Sequence, residues 1–201
     1  MNVCCIVGAG DCSKFDFKKQ SGDIIIAADG GYNHLKKFNV IPDIVIGDFD
    51  SLGYVPDDIS VIKLPVVKDV TDMYAASEIG LDRGFEEFQI YGACGGRLDH
   101  TISNIQLAVS LTEKGKKCVI NHGETKITAI CNGTLDFEDT NKGYISIFSH
   151  SDKSTGVTIN GLKYTLENAN LTNTFSLGVS NEFIGKKASV SVESGTLIIF
   201  Y

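Results

Sequence analysis

Roughly the first 120 residues repeat one unit: an apolar run of strand length that stops abruptly at a polar or glycine-rich cluster. Val3–Val7 runs into Gly8-Ala9-Gly10-Asp11, and Ile24–Ala28 into Asp29-Gly30-Gly31. Ile44–Ile46 meets Gly47-Asp48-Phe49-Asp50-Ser51, Val61–Leu64 leads to Lys68-Asp69-Val70-Thr71-Asp72, and Phe88–Tyr91 leads to Gly92 through His100. Continuous apolar runs, rather than alternating ones, suit strands covered on both faces. Helical stretches are expected between them. One is capped by Thr71 and runs to about Arg83 before Gly84; another starts at Asp99 or Thr101 and runs through Lys114, with Ile102, Ile105 and Val109 on its apolar side. Strand–helix alternation of this kind predicts a doubly wound, mainly parallel α/β sheet. In such sheets ligands bind beyond the carboxyl ends of the strands, where all the polar clusters lie.

After His122 the pattern changes. Leu162, Tyr164 and Leu166 alternate with polar residues, as do Ala188, Val190 and Val192. Glu193-Ser194-Gly195-Thr196 reads as a hairpin connection into Leu197–Tyr201. The expected organisation is an α/β domain over residues 1–122 and an antiparallel β-sandwich domain over residues 123–201.

The chain has 201 residues and a net charge of −7, which argues against nucleic acid as a partner because phosphate backbones need a basic surface. No apolar run approaches the roughly 18 residues of a membrane span. Val3–Val7 lacks a basic flank and a small-residue cleavage site, so it predicts a strand rather than a signal peptide, and the expected compartment is the cytoplasm. The six cysteines form no C-x-x-C pair, which argues against zinc and for free thiols in a reducing compartment.

Asp outnumbers Glu by 16 to 9, and several Asp sit in short glycine-containing runs. In an extended segment Asp48 and Asp50 point to one face. Two adjacent carboxylates repel unless a cation or proton relieves them, and magnesium prefers such ligands together with phosphates. The same pattern also serves as a solvated turn. Asp69, Thr71 and Asp72 form a second cluster, in which helix capping and ligand binding are compatible; Lys68 before it can contact phosphate. In the third cluster, Gly92 to His100, the glycines let N–H groups approach an anion, and Arg97 offers a planar fork for phosphate oxygens. His100 serves either as a local hydrogen-bonder or as a base. Asp29-Gly30-Gly31 reads by default as a tight turn. Metal ligands, cationic clamps and backbone donors together are what phosphoryl-type transfer requires. A nucleophilic hydrolase is disfavoured by the lack of G-x-S-x-G or of a cysteine motif.

The ordered set Ala28-Asp29-Gly30-Gly31, Pro42-Asp43, Ile46-Gly47-Asp48-Phe49-Asp50-Ser51, Lys68-Asp69-Val70-Thr71-Asp72 and Gly95-Gly96-Arg97-Leu98-Asp99-His100 with Asn104 closely resembles thiamine pyrophosphokinase. Gly161-Leu162-Lys163-Tyr164 and Gly178-Val179-Ser180-Asn181 resemble that family's thiamine-binding β domain. The resemblance implies magnesium-dependent transfer of the pyrophosphoryl group of ATP to the thiamine hydroxyl, with AMP as the second product. It implies that Asp48, Asp50 and Asp72 hold magnesium, and that Lys68, Arg97 and the glycine backbone hold phosphate. Asp29 and Asp99 would line the same cleft; Gly30, Gly31, Ser51, Asp69, Thr71, Gly95, Gly96, His100 and Asn104 complete the nucleotide side. Ser180 and Asn181 would contact thiamine. The family is typically a homodimer, with the thiamine site between the catalytic domain of one subunit and the β domain of the other. The thiazolium cation calls for an aromatic face; the chain has no Trp, so Tyr164, Phe175 and Phe183 are the candidates. The acidic pair alone also suits a magnesium-dependent phosphohydrolase, and a non-catalytic nucleotide- or thiamine-binding module is the third alternative.

Overall fold

The computed structural model describes residues 2–48, 59–65 and 69–201. Asp50, Ser51 and Lys68 therefore lie outside the described residues. The chain divides into two compact units: Met1–Ala108 with Gly115–Glu124, and Val109–Lys114 with Thr125–Tyr201.

In the first unit the apolar runs are strands: β1 (Val3–Val7), β2 (Ile24–Ala28), β3 (Ile44–Gly47), β4 (Ser60–Lys63), β5 (Glu87–Tyr91) and β6 (Lys117–His122). All five pairings among them are parallel, in the order β6-β5-β1-β2-β3-β4. The chain thus builds outward from β1 to β4 on one side, then returns to lay β5 and β6 on the other. The order reverses between β1 and β5, so the connections that follow them leave toward opposite edges of the sheet, and a crevice lies beyond their carboxyl ends.

Three helices accompany this sheet: α1 (Gly31–Lys37), α2 (Asp72–Asp82) and α3 (Leu98–Glu113). The first is absent from the sequence expectation, which took Asp29-Gly30-Gly31 for a turn; the turn feeds directly into the helix. Thr71 caps α2 as expected, its hydroxyl accepting from the N–H of Tyr74 at 3.2 Å. Helix α3 starts one residue before the expected Asp99, and its buried face is shifted. Leu107, Val109 and Leu111 are buried, whereas Ile102 is 59% exposed.

Strict strand–helix alternation fails between β1 and β2. That connection is an irregular segment that lays Phe15 and Phe17 over the same sheet face as α1. Phe15 packs against Tyr91 with the rings tilted by 58° at a centroid distance of 4.8 Å. Gly80 of α2 faces the alternate residues Cys4 and Phe88, so both faces of β1 and β5 are covered. Each fully buried Ile of these strands contributes about 1.5–3 kcal/mol.

The second unit holds two antiparallel sheets. One has the order β12-β9-β14-β7, from Gly178–Glu182, Tyr144–Ser149, Thr196–Phe200 and Thr125–Cys131. The other is β11-β10-β13-β8, from Leu166–Thr172, Lys153–Asn160, Ala188–Ser191 and Thr134–Phe137. Ile145, Ile147, Leu197 and Ile199 of the first sheet share one core with Val157, Ile159, Leu171 and Val190 of the second. This is a β-sandwich, as the alternating pattern predicts. Two local expectations are corrected. Glu193–Thr196 is no hairpin turn, because β13 pairs with β8 and β10 while β14 pairs with β7 and β9; the segment carries the chain from one sheet to the other. Leu162, Tyr164 and Leu166 do not share one strand, since Leu162 forms an isolated bridge with Phe183 and β11 begins at Leu166.

Candidate active site at the strand ends

Beyond Val7 and Tyr91 the β1–β5 ladder continues through main chain alone. The N–H of Gly8 donates to Tyr91 O at 2.8 Å, that of Gly10 to Gly92 O at 2.8 Å, and that of Asp11 to Cys94 O at 2.7 Å. Gly92 has φ +61, and a Cβ there would stand 2.2 Å from Gly8 O; one on Gly10 would stand 2.5 Å from Cys94 O. Only hydrogen fits at these two positions, which keeps the floor of the crevice bare main chain. Above it opens a cleft of about 410 Å³.

Asp29, Thr71, Asp72, Gly95, Gly96, Arg97, His100 and Asn104 line this cleft. The clusters after β2 and β5 and the start of α2, more than 60 residues apart at the extremes, are thereby brought to one place. Gly30, Gly31, Asp48, Asp69 and Asp99 are not among the lining residues. Asp48 follows Gly47 at the end of β3, and Gly47 packs on Asp29, where a Cβ would lie 3.2 Å from Asp29 Cα. The lining also contains Ala9, Gly10 and Met73, to which the sequence reading gave no ligand role, and Gly92 and Ala93 of the third cluster. Gly8-Ala9-Gly10 directly after a strand is the signal that could have found the first two.

Asp29 adopts φ +48, a left-handed conformation that costs a non-glycine residue about 1 kcal/mol. Its N–H is held by Ile46 O at 2.8 Å, while its Oδ1 is buried with no hydrogen-bond partner. A buried carboxylate oxygen without a donor is costly, so this corner of the cleft suits a ligand that brings a cation or a donor. Arg97 and Asp99 form a two-point pair, Nε to Oδ1 at 3.1 Å and a terminal guanidinium nitrogen to Oδ2 at 2.5 Å. The Arg97 hydrogen bonds, then the His100 N–H, hold Asp99 down at about 2. Asp99 is thus a fixed anion that orients the guanidinium, and Arg97 keeps a cation on the cleft wall. Asn104, 6% exposed, donates from Nδ2 to Ala93 O at 2.8 Å and ties α3 to the glycine-rich loop. Pro42-Asp43 has a structural part to play: Asp43 accepts from the Ile25 N–H at 2.7 Å and pairs with Lys19.

Carboxylates, a guanidinium and exposed main-chain N–H groups around one cleft are the donor set that a polyphosphate with a divalent cation requires. Among the described residues no three His, Cys, Asp or Glu side chains cluster closely enough to hold a metal by themselves. None of the six cysteines is in a disulfide, and burial pushes Cys4 up to about 12 and Cys12 to about 11, which keeps those two unreactive. Among the described residues, no helix is long and apolar enough to cross a membrane.

Ser180 and Asn181 lie in the second unit, on β12. Ser180 is exposed with φ +58, and its N–H donates to Ser146 Oγ at 3.1 Å. Asn181 is 4% exposed and borders a separate cavity of about 230 Å³ with Ile159, Tyr164, Leu166, Leu177 and Gly178.

Fold and clefts together define an α/β enzyme with an appended β-sandwich. Residues 17–120 match the model of the thiamin pyrophosphokinase catalytic domain, and residues 133–197 match that of the thiamin pyrophosphokinase vitamin B1 binding domain. The chain belongs to the thiamin pyrophosphokinase family. It is 32% identical over 181 residues to the thiamine pyrophosphokinase of Bacillus subtilis (strain 168), covering 87% of this chain and 85% of that one. It is 29% identical over 192 residues to thiamin pyrophosphokinase 1 of Caenorhabditis elegans, covering 87% and 76%. The crystal structure of thiamine pyrophosphokinase from Bacillus subtilis superimposes with a TM-score of 0.86 at 27% identity, covering 100% of this chain and 98% of that one. At 19% identity, thiamin pyrophosphokinase from Candida albicans shares the fold, with a TM-score of 0.77 over 98% of this chain and 88% of that one.

Proposed function

We propose that this enzyme transfers the pyrophosphoryl group of ATP to the hydroxyl of thiamine, giving thiamine diphosphate and AMP. The observation that carries this reading is the crevice between β1 and β5, where Asp72, Arg97 and glycine main chain converge in a chain that also matches a vitamin B1 binding domain. Residues 1–122 form its catalytic part and residues 123–201 its thiamine-binding part.

Asp48, Asp50 and Asp72 would hold magnesium. When bound, it neutralises phosphate oxygens and so lowers the cost of charge developing at the β-phosphorus. Arg97, oriented by Asp99, and Lys68 hold phosphate oxygens, while Gly95 and Gly96 offer main-chain N–H groups. Thr71 fixes the start of α2 and so places Asp72. Asp29 offers its unpartnered oxygen, and Asn104 holds the glycine-rich loop in place. The protein's contribution is positioning and electrostatics, which is what pyrophosphoryl transfer asks of it.

Incubation with magnesium, ATP and thiamine should release AMP and thiamine diphosphate in equal amounts. Formation of ADP would sink pyrophosphoryl transfer. Phosphate release independent of thiamine would favour the phosphohydrolase alternative, and saturable thiamine binding without turnover would favour the binding module. A homodimer belongs to the same reading. Exposed Phe175, Leu177, Val179 and Ile184 of the β-sandwich supply apolar surface for it, and sedimentation equilibrium tests it.

A further inference from the structure

We propose that Met73 is an oxidation site, and that its sulfoxide closes the cleft between β1 and β5 to nucleotide; this rests on the function proposed above only in that magnesium–ATP occupies the cleft. Met73 is the second residue of α2, next to Asp72, and both border the cleft. Its side chain is 8% exposed and lies over the bare Cα of Gly8, where a Cβ would stand 2.6 Å from Met73 Sδ and 2.8 Å from Gly92 O. The N–H of Gly8 donates to Tyr91 O at 2.8 Å, so the thioether packs on the seam between β1 and β5. Thr71 caps the first turn of α2 through the Tyr74 N–H at 3.2 Å, and Met73 seats that turn on the floor by an apolar contact. Asp72 takes its place at the cleft from these two neighbours.

Sulfur is the part of this contact that chemistry can change. Hydrogen peroxide delivers one oxygen atom to a thioether. An S–O bond forms from a sulfur lone pair, the peroxide O–O bond breaks, sulfur is oxidised by two electrons, and the peroxide leaves as water. Burial raises the thiols of Cys4, Cys5, Cys12, Cys94 and Cys118, and so withholds the thiolate on which cysteine oxidation depends. A thioether has no proton to lose, so burial gives Met73 no protection of that kind. The cleft of about 410 Å³ brings peroxide, a molecule little larger than water, to its border. The oxygen added to sulfur is a strong acceptor with partial negative charge. Turned toward the floor it meets Gly92 O and finds no donor, because the ladder has used the N–H groups of Gly8 and Gly10. Turned toward the cleft it stands near Asp72, where the ligand brings its own phosphate oxygens. Either way the sulfoxide opposes a polyanion and loosens the seat of α2.

The test treats the whole protein with hydrogen peroxide and follows it by peptide mass and by calorimetric titration with magnesium–ATP. The chain holds one other methionine, Met1, which peptide mapping separates from Met73. The Met73 peptide should gain one oxygen, more slowly when magnesium–ATP is present, and the Kd for magnesium–ATP should rise about tenfold in step with it. Methionine sulfoxide reductases with dithiothreitol should restore the Kd, whereas dithiothreitol alone should not. In Met73→Leu the same treatment should leave that variant's own Kd where it began. A Met73 peptide that gains no oxygen overturns the proposal, as does oxidation with an unchanged Kd. An equal loss in Met73→Leu, or recovery with dithiothreitol alone, would assign the effect to other groups and overturn it too. Should Met73→Leu fail to fold, the peptide mass and the reductase arms on the parent decide alone. A parent that binds no magnesium–ATP would remove the nucleotide reading and the consequence drawn from oxidation with it. Binding that survives oxidation of Met73 would remove the inference only.

Discussion

In the cleft between β1 and β5 the floor is main chain, kept bare by Gly10 and Gly92, and the reactive groups stand at strand and helix ends around it. In the cavity of the β-sandwich the walls are side chains, Ile159, Leu166 and Leu177, and the polar group nearest them, Asn181, is consumed in holding a neighbour. The two sites thus use polarity in opposite ways. The N–H groups of the floor are used in the β1–β5 ladder, so a multiply charged ligand is left to Arg97 and the glycine-rich loop of Gly95 and Gly96 at the strand ends. A sandwich satisfies its main chain within its own sheets, so it offers shape and aromatic surface instead, which suits a flat organic cation.

The largest test of this contrast is Asp48→Asn. It should lower kcat/KM about 10³-fold, because the change keeps the side chain's volume and removes the charge that the magnesium assignment needs. Activity that survives the change across a magnesium titration would break the assignment. Next in size is Gly92→Ala, where an L side chain must occupy φ +61 against Gly8 O. It should cost about 3 kcal/mol in a urea titration. A mild effect would show that the crevice floor can yield.

Tyr91→Phe should cost about 1 kcal/mol near neutral pH, since the Tyr91 hydroxyl donates to Asp16 at 2.8 Å. Burial and then the Asp16 hydrogen bond raise Tyr91, while the Tyr91 hydrogen bond lowers Asp16. The Asp16 contribution is present above its unfolded value of about 3.9 and fades as pH falls through the lowered folded value. The Tyr91 contribution is present below its unfolded value of about 10 and fades as pH rises toward the folded one. The difference between parent and variant should therefore be flat between these limits and shrink on both sides, as read by denaturation at several pH values. The smallest effect is expected from Leu177→Ala. Residue 177 is 48% exposed, so stability should change by less than about 1 kcal/mol, while the thiamine KM rises about fivefold. A side-chain wall can be trimmed with little cost to the fold; a main-chain floor cannot.

The contrast also explains what could be read before the structure. The strand ends, the Thr71 cap and the clusters at Asp72 and Gly95–Arg97 were legible because strand runs, caps and glycine turns are signals carried by a few adjacent residues. The coverage of one sheet face by Phe15 and Phe17 was not, since an irregular segment has no period. The Arg97–Asp99 pair spans two residues, yet its geometry depends on where α3 begins. The Glu193–Thr196 segment looked like a hairpin because turn chemistry is local, whereas the choice of sheet belongs to the partners of β13 and β14.

By itself, then, the sequence determined where β1 to β5 run and end, and that acidic and glycine-rich groups sit at those ends. Only the tertiary structure decided that β1 and β5 lie side by side where the strand order reverses, and that Asn181 grips Tyr164 across 17 residues of chain. The physical reason is range. Backbone propensity and capping act within a turn or a strand, while a cleft or a side-chain clip exists only once distant segments have paid their loop-closure entropy and packed together.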